Sequence, residues 1–258
     1  MEGYLKIKKC LNNIFTQSNA ISEESMSLLS ESKMIIDFSK ILDLFYKSKV
    51  SSNKFSSFEN YLVEFIKFMK IQKVELIIVF GGLEIINNKK AIEERQILDN
   101  LIWRIRRFML YLTNIEESVE IKEILSKCNN LLYNIQSSSM WLYFEEKELF
   151  HKVANILISE RVDFIRAPQL RDNQMAWMFN KNYAETICGN TSLFVLDGIY
   201  QIINNFDLDK KTFTFFDLEK FASVHKKSIN EISNILKRVI TESILLMGSP
   251  ENLEELRN

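Results

Sequence analysis

Residues 74–82, Val-Glu-Leu-Ile-Ile-Val-Phe-Gly-Gly, decide the fold. A run dominated by Ile and Val that stops on two glycines reads as a buried strand followed by a tight turn. Upstream, Lys33-Met-Ile-Ile-Asp37 has the same character in fewer residues. Between the two runs lie two stretches with apolar residues at helical spacing. Ile41, Leu42, Leu44 and Phe45 fall in the first, over 38–47. Tyr61, Leu62, Phe65, Ile66 and Met69 fall in the second, beyond a Ser/Asn-rich loop over 50–57. Strand, helix and strand in that order predict a right-handed parallel crossover.

From about residue 89 to 159 no β-type run appears. Leu98, Leu101, Ile102, Ile105, Phe108, Met109 and Leu112 keep one helical face apolar. An apolar alternation resumes over 161–166, stops at Ala167-Pro168, and leads into a Met- and Trp-bearing helix through about residue 181. Short apolar runs follow at 186–188 and 192–196, and 212–216 alternates like an edge strand. Asp217 is placed to cap a helix. Ser228-Ile-Asn-Glu231 fits a capping box whose helix turns Ile232, Ile235, Leu236, Val239 and Ile240 inward. The expected architecture is an α/β fold with a mostly parallel central sheet flanked by helices. One domain is expected over 1–245, with a helical insertion at about 90–160 and a charged tail at 246–258.

Composition narrows the chemistry. Six glycines and two prolines in 258 residues argue against a fold of many hairpins. No apolar run reaches the roughly 18 residues of a membrane span, and the first residues lack a signal-peptide core, so a cytoplasmic protein with no membrane partner is expected. Cys10, Cys128 and Cys188 are scattered and odd in number, which suits reduced thiols rather than a disulfide framework or a zinc site. Two histidines, His151 and His225, make His-based triads and His-rich metal sites improbable. A formal charge of −1 supplies no global field for nucleic acid, so any such contact must be local.

Three segments, in order, resemble the flap-endonuclease/XPG nucleases of the PIN-like superfamily: Ile-Ile-Asp37-Phe-Ser39, Ile-Val-Phe80-Gly81-Gly82, and the stretch from Ile165-Arg-Ala167-Pro168 to Leu196-Asp197-Gly198. The resemblance implies a pair of divalent ions roughly 4 Å apart, held by clustered carboxylates. Asp37 and Asp172 match acidic positions of that pattern. Gly81 stands where its second motif has Asp, Leu170 replaces a Glu, and Thr191 and Leu193 replace an Asp pair. Two leucines pointing into the site would desolvate whatever charge remained. On this reading the acidic site is vestigial. Asp37 would cap the next helix and Asp172 would sit in a helix's first turn. No metal or other cofactor is expected, and the chain is expected not to be an enzyme.

Within the superfamily the chain is most similar to the Mkt-type post-transcriptional regulators. Phe80-Gly-Gly-Leu, Ala167-Pro followed by Gln174 and Ala176-Trp177, the 183–189 stretch, Leu196-Asp197 and the 213–217 stretch follow that register. The resemblance implies a pseudonuclease acting as a binding module in messenger-RNA or translation control. Its partner would be a protein of an RNA–protein complex, an ataxin-2-like, poly(A)-binding-protein-associated factor or the ribosome. Two alternatives stand beside it: a ribosome-bound dormancy factor, and a residual nuclease using Asp37, Asp172 and a third acid such as Glu84, Asp197 or Glu242. For contacts, Arg104, Arg106, Arg107 and Tyr111 combine charge with an aromatic platform that could meet RNA, or form a solvated face paired with Glu93 and Glu94. Lys6, Lys8 and Lys9 form a second small basic group.

Overall fold

The computed structural model describes residues 20–51, 57–81, 89–114, 118–168 and 170–247. Seven strands form one sheet. They are β1 (Ile21–Ser25), β2 (Lys33–Asp37), β3 (Glu75–Phe80), β4 (Asp163–Arg166), β5 (Thr186–Cys188), β6 (Gln201–Asp207) and β7 (Thr212–Asp217). Their spatial order is β1-β7-β6-β5-β2-β3-β4. The five strands from β6 to β4 are parallel; β7 is antiparallel to both β6 and β1. The mostly parallel sheet expected from the sequence is therefore present.

Alternation on the central strands builds two apolar layers. Met34 and Ile36 of β2, with Leu76, Ile78 and Phe80 of β3, face α1 (Phe38–Ser51) and α2 (Phe58–Ile71). Ile35, Ile77 and Val79 face the other way. There they meet α6 (Arg171–Asn180), α7 (Leu218–Val224) and α8 (Ile229–Met247). Runs apolar on both faces are what a sheet covered on both sides demands.

The middle of the chain is three helices: α3 (Lys89–Thr113), α4 (Val119–Gln136) and α5 (Ser139–Ser159). Ser118 and Ser138 cap α4 and α5 through the backbone N–H groups of Ile121 and Trp141. Arg95 fastens α3 to α5. Its guanidinium lies 3.6 Å from the Trp141 ring centroid and 3.7 Å from Glu145. The Trp141 indole N–H in turn donates to the Tyr46 hydroxyl of α1 at 3.2 Å. Phe80 at the end of β3 joins the layers, with ring centroids 4.5 Å from Phe38 and 5.0 Å from Phe150 of α5.

Several local expectations hold. Asp217 accepts from the Lys220 N–H, and Ser228 and Glu231 form the reciprocal capping box. Others are corrected. Residues 192–196 lie mostly in a 3-10 turn (Thr191–Val195), and Ile235 is 44% exposed rather than inward. Strands β1 and β6 have no clean apolar pattern. β1 is a polar edge, and β6 carries Asn204 at a register irregularity, where the Lys40 ammonium meets its side-chain oxygen at 3.1 Å. Lys6, Lys8, Lys9, Gly82, Glu84 and nearly all of the 246–258 tail lie outside the described residues.

Phe80→Ala should remove the shared contact between the sheet, α1 and α5. A loss of about 3–5 kcal/mol is expected for an aromatic truncated in a closed core, read from the urea unfolding midpoint.

Candidate functional site

Parallel sheets collect ligands and charged groups at the carboxyl ends of their strands, where the strand order reverses. Here the chain runs from β2 outward to β3 and β4, then returns to place β5 and β6 on β2's other side. The reversal falls between β2 and β5, and Asp37 stands there as the last residue of β2. Its carboxylate is 1% exposed. One oxygen accepts the Ser39 N–H at 2.7 Å, which is the helix-capping role, and the other accepts the Asn190 side-chain amide at 3.4 Å.

Capping is only part of its environment. The guanidinium of Arg171, at the first position of α6, donates to the same Asp37 oxygen and, at 2.9 Å, to Glu146 of α5. The other Glu146 oxygen accepts the Gly81 backbone N–H just past β3. One cation thus bridges two buried carboxylates from segments more than a hundred residues apart, and a strand end is tied in through its backbone. Burial pushes the Glu146 carboxyl above its ordinary range, against the opposing pull of Arg171. Burial also works against the charged Arg171, but Asp37, Glu146 and Asp172 together outweigh it and hold the guanidinium more firmly protonated than usual.

Gly81 is shaped to this arrangement. A Cβ there would lie 3.2 Å from Glu146 Oε1 and 3.3 Å from Arg171 Nη2, so a carboxylate side chain at this position would compete with both for the same space. Asp172 lies in the first turn of α6, as expected, and accepts the Ser192 hydroxyl at 2.6 Å. Leu170 is corrected. It is 53% exposed at the helix start rather than pointing into the site. Leu193 is fully buried, in the apolar layer with Met175 and Ala176, and Thr191 is buried beside it.

The pair of divalent ions implied by the resemblance does not fit these residues. The space between the two carboxylates is held by a guanidinium, and among the described residues no three His, Cys, Asp or Glu side chains come together to hold a metal. Asp197, offered as a third acid, is 2.7 Å from the ammonium of Lys237 on α8. The side chain of Glu242 and all of Glu84 lie outside the described residues. Cys188 at the end of β5 is a free thiol, pushed up to about 12 by burial, which keeps it protonated and inert.

Arg104, Arg106, Arg107 and Tyr111 are exposed on α3, remote in sequence and fold from Asp37. Neither Arg171 nor Glu146 was singled out from the sequence. Each left a signal. Glu146 sits four and three residues from Leu142 and Leu149, and seven from the buried Val153, so an acid occupies an apolar stripe. Arg171 opens a helix, where the macrodipole disfavours a cation unless a carboxylate is close.

No protein-family model matches the sequence. No curated protein matches it either. Solved structures do. The chain is similar to human GEN1 in complex with Holliday junction DNA, with a TM-score of 0.53 and 10% identity over 90% of this chain. It spans 48% of that protein. It also aligns with the catalytic core of Rad2 bound to DNA (TM-score 0.47, 14% identity, 83% of this chain and 55% of that one). A third match is flap endonuclease-1 from Methanococcus jannaschii (TM-score 0.46, 13% identity, 82% and 65%). The likeness is one of fold, and the GEN1 structure carries it. It corrects the expectation that the chain is not an enzyme. A fold shared with a protein solved on Holliday junction DNA gives no ground for excluding catalysis.

Arg171→Met should leave two buried acids without their counter-ion and destabilise the fold by about 3–5 kcal/mol. Chemical denaturation near neutral pH reads this directly. A second expectation concerns Glu146, whose folded-state carboxyl is raised, so its ionisation opposes folding. That penalty is absent below the unfolded carboxyl's range, about pH 4, and grows as pH rises towards the folded value. The stability difference between Glu146→Gln and the parent should therefore move in the variant's favour from about pH 4 to 7. A difference that stays flat or moves the other way rules out a raised Glu146.

Proposed function

We propose that this chain is a binding and regulatory module of the Mkt type in messenger-RNA or translation control. The observation that carries the reading is the arginine that fills the site at the strand ends. Arg171 supplies the positive charge that Asp37 and Glu146 require, and Gly81 leaves room for it. A guanidinium already standing between the two carboxylates takes the place an incoming cation would need. Recognition then falls to exposed surfaces. The order of Phe80-Gly-Gly-Leu, Ala167-Pro and Leu196-Asp197 supports the Mkt-type assignment. On this reading the partner is a protein of a cytoplasmic RNA–protein complex, either an ataxin-2-like, poly(A)-binding-protein-associated factor or the ribosome.

A second reading is a structure-specific nuclease. It is favoured by the fold likeness and by the gathering of Asp37, Glu146 and Asp172 around one arginine. Cleavage of flap DNA or structured RNA that disappears in both Asp37→Asn and Asp172→Asn would assign the chain to it.

Sedimentation of the endogenous protein through a sucrose gradient, with and without ribonuclease, tests the first reading. Migration in heavy fractions that is lost on ribonuclease treatment is the expected result. Ribonuclease-resistant migration with ribosomes would make it a ribosome-bound dormancy factor instead. Recovery only at the top of the gradient would overturn both.

A further inference from the structure

The outward face of α3 carries a concentration of apolar side chains that are exposed among the described residues. Of the 18 large hydrophobic residues exposed among the described ones, six lie on this helix: Ile97, Leu101, Trp103, Phe108, Leu110 and Tyr111. Their exposures run from 42% to 66%. Ile102 and Leu112 of the same helix are buried against the rest of the fold. Scattered surface hydrophobics need no explanation, but a contiguous set on one element does.

Their spacing is informative. Ile97, Leu101, Arg104, Phe108 and Tyr111 follow one another at intervals of four, three, four and three residues. That is the seam along which one helix receives another. Trp103, Arg107 and Leu110 run beside it at the same intervals, and the Arg107 guanidinium lies 5.1 Å from the Trp103 ring centroid. Tryptophan, tyrosine and arginine are the residue types that dominate binding energy at protein interfaces. Among the described residues neither Arg104 nor Arg107 makes an ion pair, and the side chain of Glu94, one of the two acids expected to pair with them, lies outside those residues. An apolar seam with one exposed arginine in it and a second beside it calls for an apolar partner that brings carboxylates.

We propose that this face docks an amphipathic helical segment of a protein partner, with leucine-like residues along its seam and acidic residues positioned for Arg104 and Arg107. The proposal deepens the reading of the chain as a binding module and rests on it. A second copy of the chain is a poor occupant: Arg104 stands at the centre of the seam, so antiparallel self-pairing would set arginine on arginine. RNA is disfavoured because Ile97, Leu101 and Leu110 offer nothing to phosphates, and a basic groove with stacking rings would not need them. A lipid surface would have to take Arg104 into its apolar layer.

Fluorescence anisotropy of the purified chain tests this with four probes. They are a labelled helix-forming peptide with leucines at alternating three- and four-residue spacing and flanking glutamates, the same peptide with lysines for glutamates, an oligouridylate, and phosphatidylcholine/phosphatidylserine vesicles. The acidic peptide should bind, and Arg104→Glu or Phe108→Ser should each weaken it about tenfold or more. Leu28→Ser, an exposed apolar residue elsewhere, should leave it unchanged. Circular dichroism confirms that the variants fold, and their side chains are exposed in the parent. Equal binding of the lysine peptide, binding of RNA or vesicles without the acidic peptide, or indifference to both α3 substitutions overturns the proposal. Because the measurement uses the purified chain and a model peptide, its failure is separable from failure of the sedimentation experiment.

Discussion

A guanidinium clamped between two buried carboxylates holds together three parts of this chain. Asp37 ends the central strand, Glu146 belongs to the helical middle third, and Arg171 opens the helix that follows β4. The apolar layers would pack without the clamp, but they would not fix where α5 ends up relative to the strand ends. Hydrophobic burial is non-directional. A fixed fork of N–H donors is directional, and it sets the approach of α5 to Gly81 through the same carboxylate that meets Arg171. The arrangement is costly to break and of modest net value to make, as buried ion pairs generally are.

That constraint accounts for the residue types at the strand ends. With a guanidinium in that space, any side chain at position 81 would crowd both Glu146 and Arg171, and glycine avoids the conflict. Leu170, next to Arg171, is turned to solvent, and Asp172 is drawn to Ser192 while still adding to the field on Arg171. Asp37, Gly81, Glu146, Arg171 and Asp172, scattered along the sequence, thus belong to one arrangement in space.

The parallel core was legible because its residues obey one rule. β2 and β3 are buried on both faces, so their apolar runs carry an unambiguous signal, and the helices between them repeat at helical spacing. The caps at Asp217 and Ser228 were legible for the same local reason. β1 and β6 were not. One is a polar edge and the other is interrupted at Asn204, whose oxygen finds its partner in Lys40 from α1, a contact that no local pattern encodes. The site divides the same way. Asp37 and Asp172 stood out by position in a motif, whereas Arg171 and Glu146 acquire meaning only when 25 residues of intervening chain bring them to 2.9 Å.

The arginine-filled site at the strand ends and the exposed face of α3 are joined through α5. Arg95 of α3 stacks on Trp141 and reaches Glu145, and the very next residue, Glu146, is the one that meets Arg171 and Gly81. A charged side chain in a close-packed interior does not follow small displacements smoothly, because its hydrogen bonds are either made or lost. Asp37 is tied to the same indole from the other side, because it caps α1, whose Tyr46 hydroxyl accepts from Trp141. Two carboxylates of the clamp thus reach Arg95 of α3 through Trp141, Asp37 by way of α1 and Glu146 by way of α5.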